Sequence, residues 1–233
     1  MFTRVNPDTQ PVQLYPKVER ELSTVKKKGW VKVNGAKLRD NKDLIPQTGF
    51  QESIQTCEAD VIWTGGSASA GKSFCILLEA LRGIGKYGYS GLIIKKELVE
   101  VGTAGGILSD AKRIYSEMKG CEYSASDYSF AWPEYQSSIM LTHINLQSDS
   151  QEKEAQEKMK NKQASYIAID ELTNFTFKIW KYWFSRNRDA SGMKPKMVCT
   201  LNANGWHWSS KMLRTAGSVS YTHLRAHETP EHL

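Results

Sequence analysis

Gly66-Ser67-Ala68-Ser69-Ala70-Gly71-Lys72-Ser73 spells G-x-x-x-x-G-K-S, the complete phosphate-binding P-loop. Few folds are open to a chain that carries it, because the loop works only between a buried strand and the first turn of a helix. Both flanks are present. Asp60-Val61-Ile62-Trp63-Thr64 is short, apolar and β-branched, and reads as a buried strand. Phe74 to Gly83, with Ile76, Leu77, Leu78 and Leu81 apolar, reads as a helix packed on it. In that setting free backbone N–H groups and the helix dipole converge on a phosphate. Lys72 then reaches the β- and γ-phosphates and the Ser73 hydroxyl ligates Mg²⁺, with ATP or GTP as the expected ligand. A chance match in a Gly/Ser-rich turn would need four fixed residues over an eight-residue span to coincide with both flanks.

At 233 residues the chain can bury one core with a small appendage. Its 40% apolar and 24% charged residues are ordinary for a soluble globular protein. No apolar run nears the roughly 20 residues that cross a bilayer, so no membrane partner is expected. Cys57, Cys75, Cys121 and Cys199 are widely spaced with no C-x-x-C pair, which argues against a metal cluster or disulfide framework and for a reducing compartment. The net charge of +6 sits mostly before the P-loop: residues 1–50 hold ten Lys/Arg against five Asp/Glu. That basic arm is either a solvated segment or a contact for nucleic-acid phosphates.

Residues 1–45 lack sustained periodicity and read as an arm with short strands or turns. Pro46 to Gln51 then leads into a helical stretch ending near Cys57. After the P-loop unit comes Gly91-Leu92-Ile93-Ile94-Lys95-Lys96, a buried strand that completes a βαβ unit. Gly105 to Met118 has the apolar spacing of a helix. Tyr128–Trp132 and Ser138–Ile144 flank a turn and read as a β-hairpin inserted into the αβ alternation. Glu152 to Lys162, charged on nearly every side, reads as an exposed helix or loop. The expected fold is α/β: a mostly parallel sheet with helices on both faces.

Tyr166-Ile167-Ala168-Ile169-Asp170-Glu171 has the form of a Walker B element, a buried strand ending in two carboxylates. It is expected beside the P-loop strand, with Asp170 orienting Mg²⁺ and Glu171 polarising the attacking water. Alone, an apolar tetrad before Asp-Glu is weak; downstream of a full P-loop it points to hydrolysis. Met197-Val198-Cys199-Thr200-Leu201-Asn202 is a third apolar strand, whose Thr200 and Asn202 can sense a γ-phosphate. Read by itself it is only a strand running into a turn.

Together these elements resemble the ATPase domain of the large terminase subunit of tailed bacteriophages, over about Pro46 to Trp208. Gln47 and Gln51, in Pro46-Gln47-Thr48-Gly49-Phe50-Gln51, are similar to a lead-in that seats the adenine. Ile169 to Phe175 resembles the family's Walker B stretch, and Ser185-Arg186-Asn187-Arg188 a basic segment after it. Thr200-Leu201-Asn202 resembles the coupling motif, followed by the aromatic Trp206-His207-Trp208. Two departures concern the subfamily: Ala203 replaces a usual Pro, and Ser67-Ala68-Ser69 lacks an arginine. The resemblance implies a P-loop ATPase of the additional-strand, catalytic-glutamate type that uses ATP and Mg²⁺. It implies a motor on double-stranded DNA, working as a homo-oligomeric ring with a portal protein and a small terminase subunit. Its place would be the procapsid portal vertex in the host cytoplasm. Arg186 and Arg188 become arginine-finger candidates toward a neighbouring subunit, against the plain reading of a solvent-facing basic turn. Trp180, Trp183, Phe184, Trp206 and Trp208 invite a base-stacking role, but the helical spacing of the first three favours core packing.

The organisation expected is therefore a basic arm over 1–45, an ATPase domain over 46–217 that stops short, and no nuclease domain. Ser218 to Thr229 looks like translated adapter sequence, so residues 218–233 are read as a non-native tail. His223, His227 and Glu228 are for that reason not taken as a metal site. The competing functions are another nucleic-acid P-loop ATPase, helicase-like, and a nucleotide-dependent assembly module without turnover. Glu171 speaks against the second.

Overall fold

The computed structural model describes residues 30–33, 36–39, 50–65, 71–96, 106–116, 118, 120–144, 163–202 and 206–215. Gly66–Ala70, Gln47, the 152–162 segment and the 218–233 tail lie outside them. Within the arm, β1 (Trp30–Val33) and β2 (Ala36–Arg39) form a small antiparallel pair.

The remaining strands form one seven-stranded sheet. They are β3 (Val61–Gly65), β4 (Ser90–Lys95), β5 (Glu122–Ser124), β6 (Ser129–Trp132), β7 (Ser137–His143), β8 (Tyr166–Ile169) and β9 (Lys196–Leu201), ordered β3-β9-β8-β4-β7-β6-β5. The five strands from β3 to β7 in that order run parallel, and β7-β6-β5 is an antiparallel meander. The inserted hairpin is thus β6-β7, extended by β5. One expectation is corrected: the P-loop strand β3 does not lie beside the Walker B strand β8. β9 lies between them, because β3 and β8 each pair with it in parallel register.

Alternation along each strand divides the core in two. Ile62, Ile93, Ile139, Leu141, Ala168 and Val198 face one side, where they pack with α1 (Phe50–Thr56), α2 (Lys72–Ala80) and α3 (Ile107–Tyr115). Trp63, Leu92, Ile94, Ile167, Ile169, Met197 and Cys199 face the other, against α4 (Phe177–Arg186). Trp208, at the start of α5 (Trp208–Thr215), packs on that second cluster. Both faces are therefore covered, which explains why β8 and β9 are buried at every position.

The P-loop helix α2 is the most enclosed of the helices, with Cys75 to Ala80 all buried. Three buried tyrosines pin it by donating to its carbonyls: Tyr166 to Ile76 at 3.0 Å, Tyr115 to Leu77 at 2.7 Å and Tyr89 to Ala80 at 2.8 Å. Each hydroxyl thereby satisfies a polar atom that burial would otherwise leave unpaired. Burial also pushes the pKa of all three phenols well up, so they stay neutral donors. On the other face α4 starts where Thr176 Oγ1 accepts the Ile179 N–H at 3.4 Å, an N-cap.

The core reading of the aromatics holds for Trp180 and Trp183, both buried, and fails for two others. Phe184 is 46% exposed and Trp206 is 90% exposed. Phe184 sits one turn after Trp180 and stacks on its ring from the solvent side, centroids 5.4 Å apart. Helical spacing put both rings on one stripe, but only the Trp180 end of it is covered, and Phe184 remains 46% exposed.

Candidate nucleotide site

The site lies where the parallel strands end. Register aligns Trp63, Cys199, Ile169 and Ile94 across β3, β9, β8 and β4. The next residue on each strand is polar: Thr64, Thr200, Asp170 and Lys95. Two residues earlier in each strand stand Ile62, Val198, Ala168 and Ile93, which face the α2 side. Period-two alternation therefore sends the whole polar row to that same side, toward the start of the P-loop helix.

Asp170 is the centre of this row and is 1% exposed. Its Oδ1 accepts the Thr200 hydroxyl at 2.6 Å. Its Oδ2 accepts the Ser73 hydroxyl at 3.0 Å and the Lys95 ammonium at 3.2 Å. Both carboxylate oxygens thus have donors, one of them the charged Lys95 ammonium. Thr200 is fully buried on β9 and makes a further contact, for its Oγ1 also accepts the Glu171 backbone N–H at 2.9 Å. The intervening strand is what makes this bridge between β9 and the two carboxylates that follow β8.

Glu171 breaks the strand. Its φ of 55° and ψ of 58° are left-handed, a conformation that costs a non-glycine residue about 1–3 kcal/mol. Continued extension would send its side chain to the α4 face; the left-handed turn ends that alternation. The Asn174 amide donates to Glu171 Oε2 at 2.9 Å. Burial pulls the Lys72 pKa below the usual lysine range, while the charges of Asp170 and Glu171 push back upward. Both carboxylates are thus electrostatically coupled to the P-loop lysine.

Gly71, the N-cap of α2, has φ 69°, and its carbonyl accepts both the Cys75 N–H at 2.9 Å and the Gln51 side-chain amide at 3.3 Å. Gln51 is 1% exposed and braces the P-loop backbone from α1. A Cβ at position 71 would collide with the Gln51 amide nitrogen. Gly71→Ala is therefore expected to lower stability by about 1–3 kcal/mol, from the left-handed penalty and the displaced brace. Nucleotide affinity should fall with it. Thermal melting and titration with a fluorescent ADP analogue check both; an unchanged pair of values would remove the brace from the site.

The remaining expected residues are placed as follows. Asn202 is exposed just past the end of β9. Arg186 and Arg188 lie at the opposite end of the sheet: Ala164, just before β8, bonds the Arg186 carbonyl and accepts the Arg188 N–H. The six residue steps from Ala164 to Asp170 separate them from that carboxylate by about 20 Å of extended chain, so neither faces this chain's own nucleotide site. Arg186 lies over the Tyr182 ring at 5.3 Å, and the exposed Arg188 bonds the Ser185 carbonyl at 3.1 Å. Lys95 was not expected. Its signal is a cation at the end of a parallel strand, readable only once β4 is known to adjoin β8.

A seven-stranded, mostly parallel sheet with a P-loop helix, a Walker B strand and one added strand between them is the P-loop nucleoside-triphosphatase fold of the additional-strand type. Among solved structures the chain shares this fold with bacteriophage large terminases. The large terminase of bacteriophage HK97 superposes with TM-score 0.55 at 8% identity, over 73% of this chain and 36% of that one. The large terminase of a thermophilic bacteriophage gives 0.53 at 14% identity, covering 73% and 40%. The large-terminase ATPase domain of Thermus phage P74-26 gives 0.55 at 12% identity, covering 75% and 72%. The chain thus spans well under half of the full-length terminases and most of the isolated ATPase domain. The sequence matches no protein-family model and no curated protein.

Proposed function

We propose that this chain is the ATP-hydrolysing motor domain of a phage DNA-packaging terminase. The observation that carries the reading is the polar row itself, with Asp170 tied to the P-loop Ser73 and, through Thr200, to the backbone of Glu171. Lys72 binds the nucleotide's terminal phosphates, at the start of a helix whose dipole favours anions. Ser73 Oγ and Asp170 Oδ2, two hard oxygens 3.0 Å apart, are the groups that would hold Mg²⁺. The ion, when bound, neutralises charge on the β- and γ-phosphates. Glu171 orients the attacking water and takes its proton, and Thr200 holds Glu171 and Asp170 in a fixed relation.

Double-stranded DNA as the track, a ring of identical subunits, a portal and a small subunit as partners, and action at the portal vertex all belong to this reading. So does an arginine finger from Arg186 or Arg188, whose place at the far end of the sheet suits a neighbour's nucleotide better than its own. Among the described residues no helix is long and apolar enough to cross a membrane.

The test is binding of a fluorescent ATP analogue and phosphate release with Mg²⁺, with and without duplex DNA. Lys72→Ala should weaken nucleotide binding by roughly 10–100-fold, the loss of a charge-assisted contact. Failure of the unaltered chain to bind at millimolar nucleotide would end the reading. Strand separation of forked DNA would move it to a helicase.

A further inference from the structure

The buried Asp170 carboxylate is paired with a cation of the chain at hydrogen-bond distance, in addition to the P-loop Lys72 on which its charge acts. Lys95 Nζ stands 3.2 Å from Asp170 Oδ2, with the two side chains 14% and 1% exposed. The same oxygen accepts Ser73 Oγ at 3.0 Å, while Oδ1 is engaged by Thr200 at 2.6 Å. Oδ2 is therefore the oxygen that faces the P-loop, and it is the one Lys95 covers. Burying a carboxylate without a counter-charge is strongly unfavourable, so some cation has to accompany Asp170 at every stage.

We propose that Lys95 is a positioning residue, a resident counter-cation on Asp170 that yields its place to the divalent ion when nucleotide binds. This inference rests on the nucleotide reading of the site. An ammonium and a divalent cation sharing one carboxylate oxygen repel each other, so Lys95 opposes metal entry for as long as it stays. Lys95 ends β4, and its ammonium is a rotatable point charge on a flexible four-carbon stem. A bound nucleotide offers that ammonium replacement oxygens on the phosphate side. Metal and nucleotide then enter together: the phosphates draw Lys95 off Asp170 and the ion takes over the carboxylate. The metal is disfavoured without nucleotide, and Asp170 is never left buried and unbalanced.

The experiment titrates MgCl₂ into the full chain with a fixed, subsaturating fluorescent ADP analogue. Lys95→Met is expected to lower the half-saturating Mg²⁺ about tenfold, since a unit positive charge next to the ion is gone. Lys95→Arg keeps the charge and should retain the original Mg²⁺ dependence. An unchanged half-point in Lys95→Met overturns the inference. Should Lys95→Met fail to fold, the unaltered protein still decides it through ¹⁵N-lysine side-chain spectra. The Lys95 Nζ resonance should move with MgCl₂ plus ADP and stay with MgCl₂ alone; a resonance that ignores both, or responds to MgCl₂ alone, refutes the exchange. Absence of any ADP-analogue binding by the unaltered chain is a different failure, that of the nucleotide site itself.

Discussion

Glu171→Ala is expected to reduce ATP turnover by about 10²–10⁴-fold, the range for losing a positioned general base, while nucleotide still binds. The separation follows from geometry. The groups assigned to the phosphates and the ion, Lys72, Ser73 and Asp170, come from α2 and the end of β8, and all remain in the variant. Glu171 contributes its backbone N–H to Thr200, which alanine also supplies. What disappears is the carboxylate. Alanine also has no side chain for Asn174 to hold, and no better tolerance of the left-handed backbone, so a stability loss beyond about 1 kcal/mol is not expected. Single-turnover phosphate release, set beside the analogue's dissociation constant, separates the two effects. Normal turnover in Glu171→Ala would remove the residue from the catalytic role, and a parallel loss of binding would make it structural.

The second large effect is on stability, far from the chemistry. Glu79 on α2 is fully buried, and the Lys196 ammonium at the start of β9 lies 2.8 Å from its Oε1. Lys196 also donates to the Cys57 carbonyl at 2.9 Å, and Arg82 reaches the same Glu79 oxygen at 3.3 Å. Lys196→Met strips a buried carboxylate of its closest cation, a change worth about 3–5 kcal/mol. Arg82 partly compensates and pulls the expectation to the lower end. For a chain of this size that is a fall in melting temperature of about 10 °C. Replacing both partners, Lys196→Met with Glu79→Leu, should recover most of the loss, because no buried carboxylate is left behind and Arg82, 24% exposed, keeps its bond to the Gln55 carbonyl at 3.1 Å. A single variant that melts within about 2 °C of the parent would show that the pair does not hold this end of the sheet. The consequence reaches the site: α2 starts at Lys72 and β9 carries Thr200, so the pair locks together the far ends of the two elements that carry them.

Much of this was readable along the chain. A P-loop is a local object, eight residues whose meaning depends on a strand before and a helix after, and β3 and α2 stand where periodicity placed them. The same holds for β8, since four apolar residues ending in two carboxylates need no distant partner to be recognised. Phe184 shows the limit. Helical spacing assigned it to the Trp180 stripe correctly, but which rings of that stripe the rest of the molecule covers is a property of the whole fold.

The amino-acid sequence by itself determined the chemistry on offer: a P-loop motif ending in Gly71-Lys72-Ser73, the acids Asp170 and Glu171, and a hydroxyl at Thr200. These follow from short-range rules linking residue type to backbone geometry. Only the tertiary structure decided which of them meet. Parallel strands pair by long-range contacts that hydrophobic pattern does not order, since β3, β4, β8 and β9 all read as similar apolar runs. Placing β9 between β3 and β8 made Thr200 the bridge from Asp170 to Glu171, and placing β4 beyond β8 put Lys95 on Asp170 Oδ2, the oxygen that also accepts Ser73. Once that order is set, the alternation of side chains along each strand brings Thr64, Thr200, Asp170 and Lys95 into one row on the side of the P-loop helix.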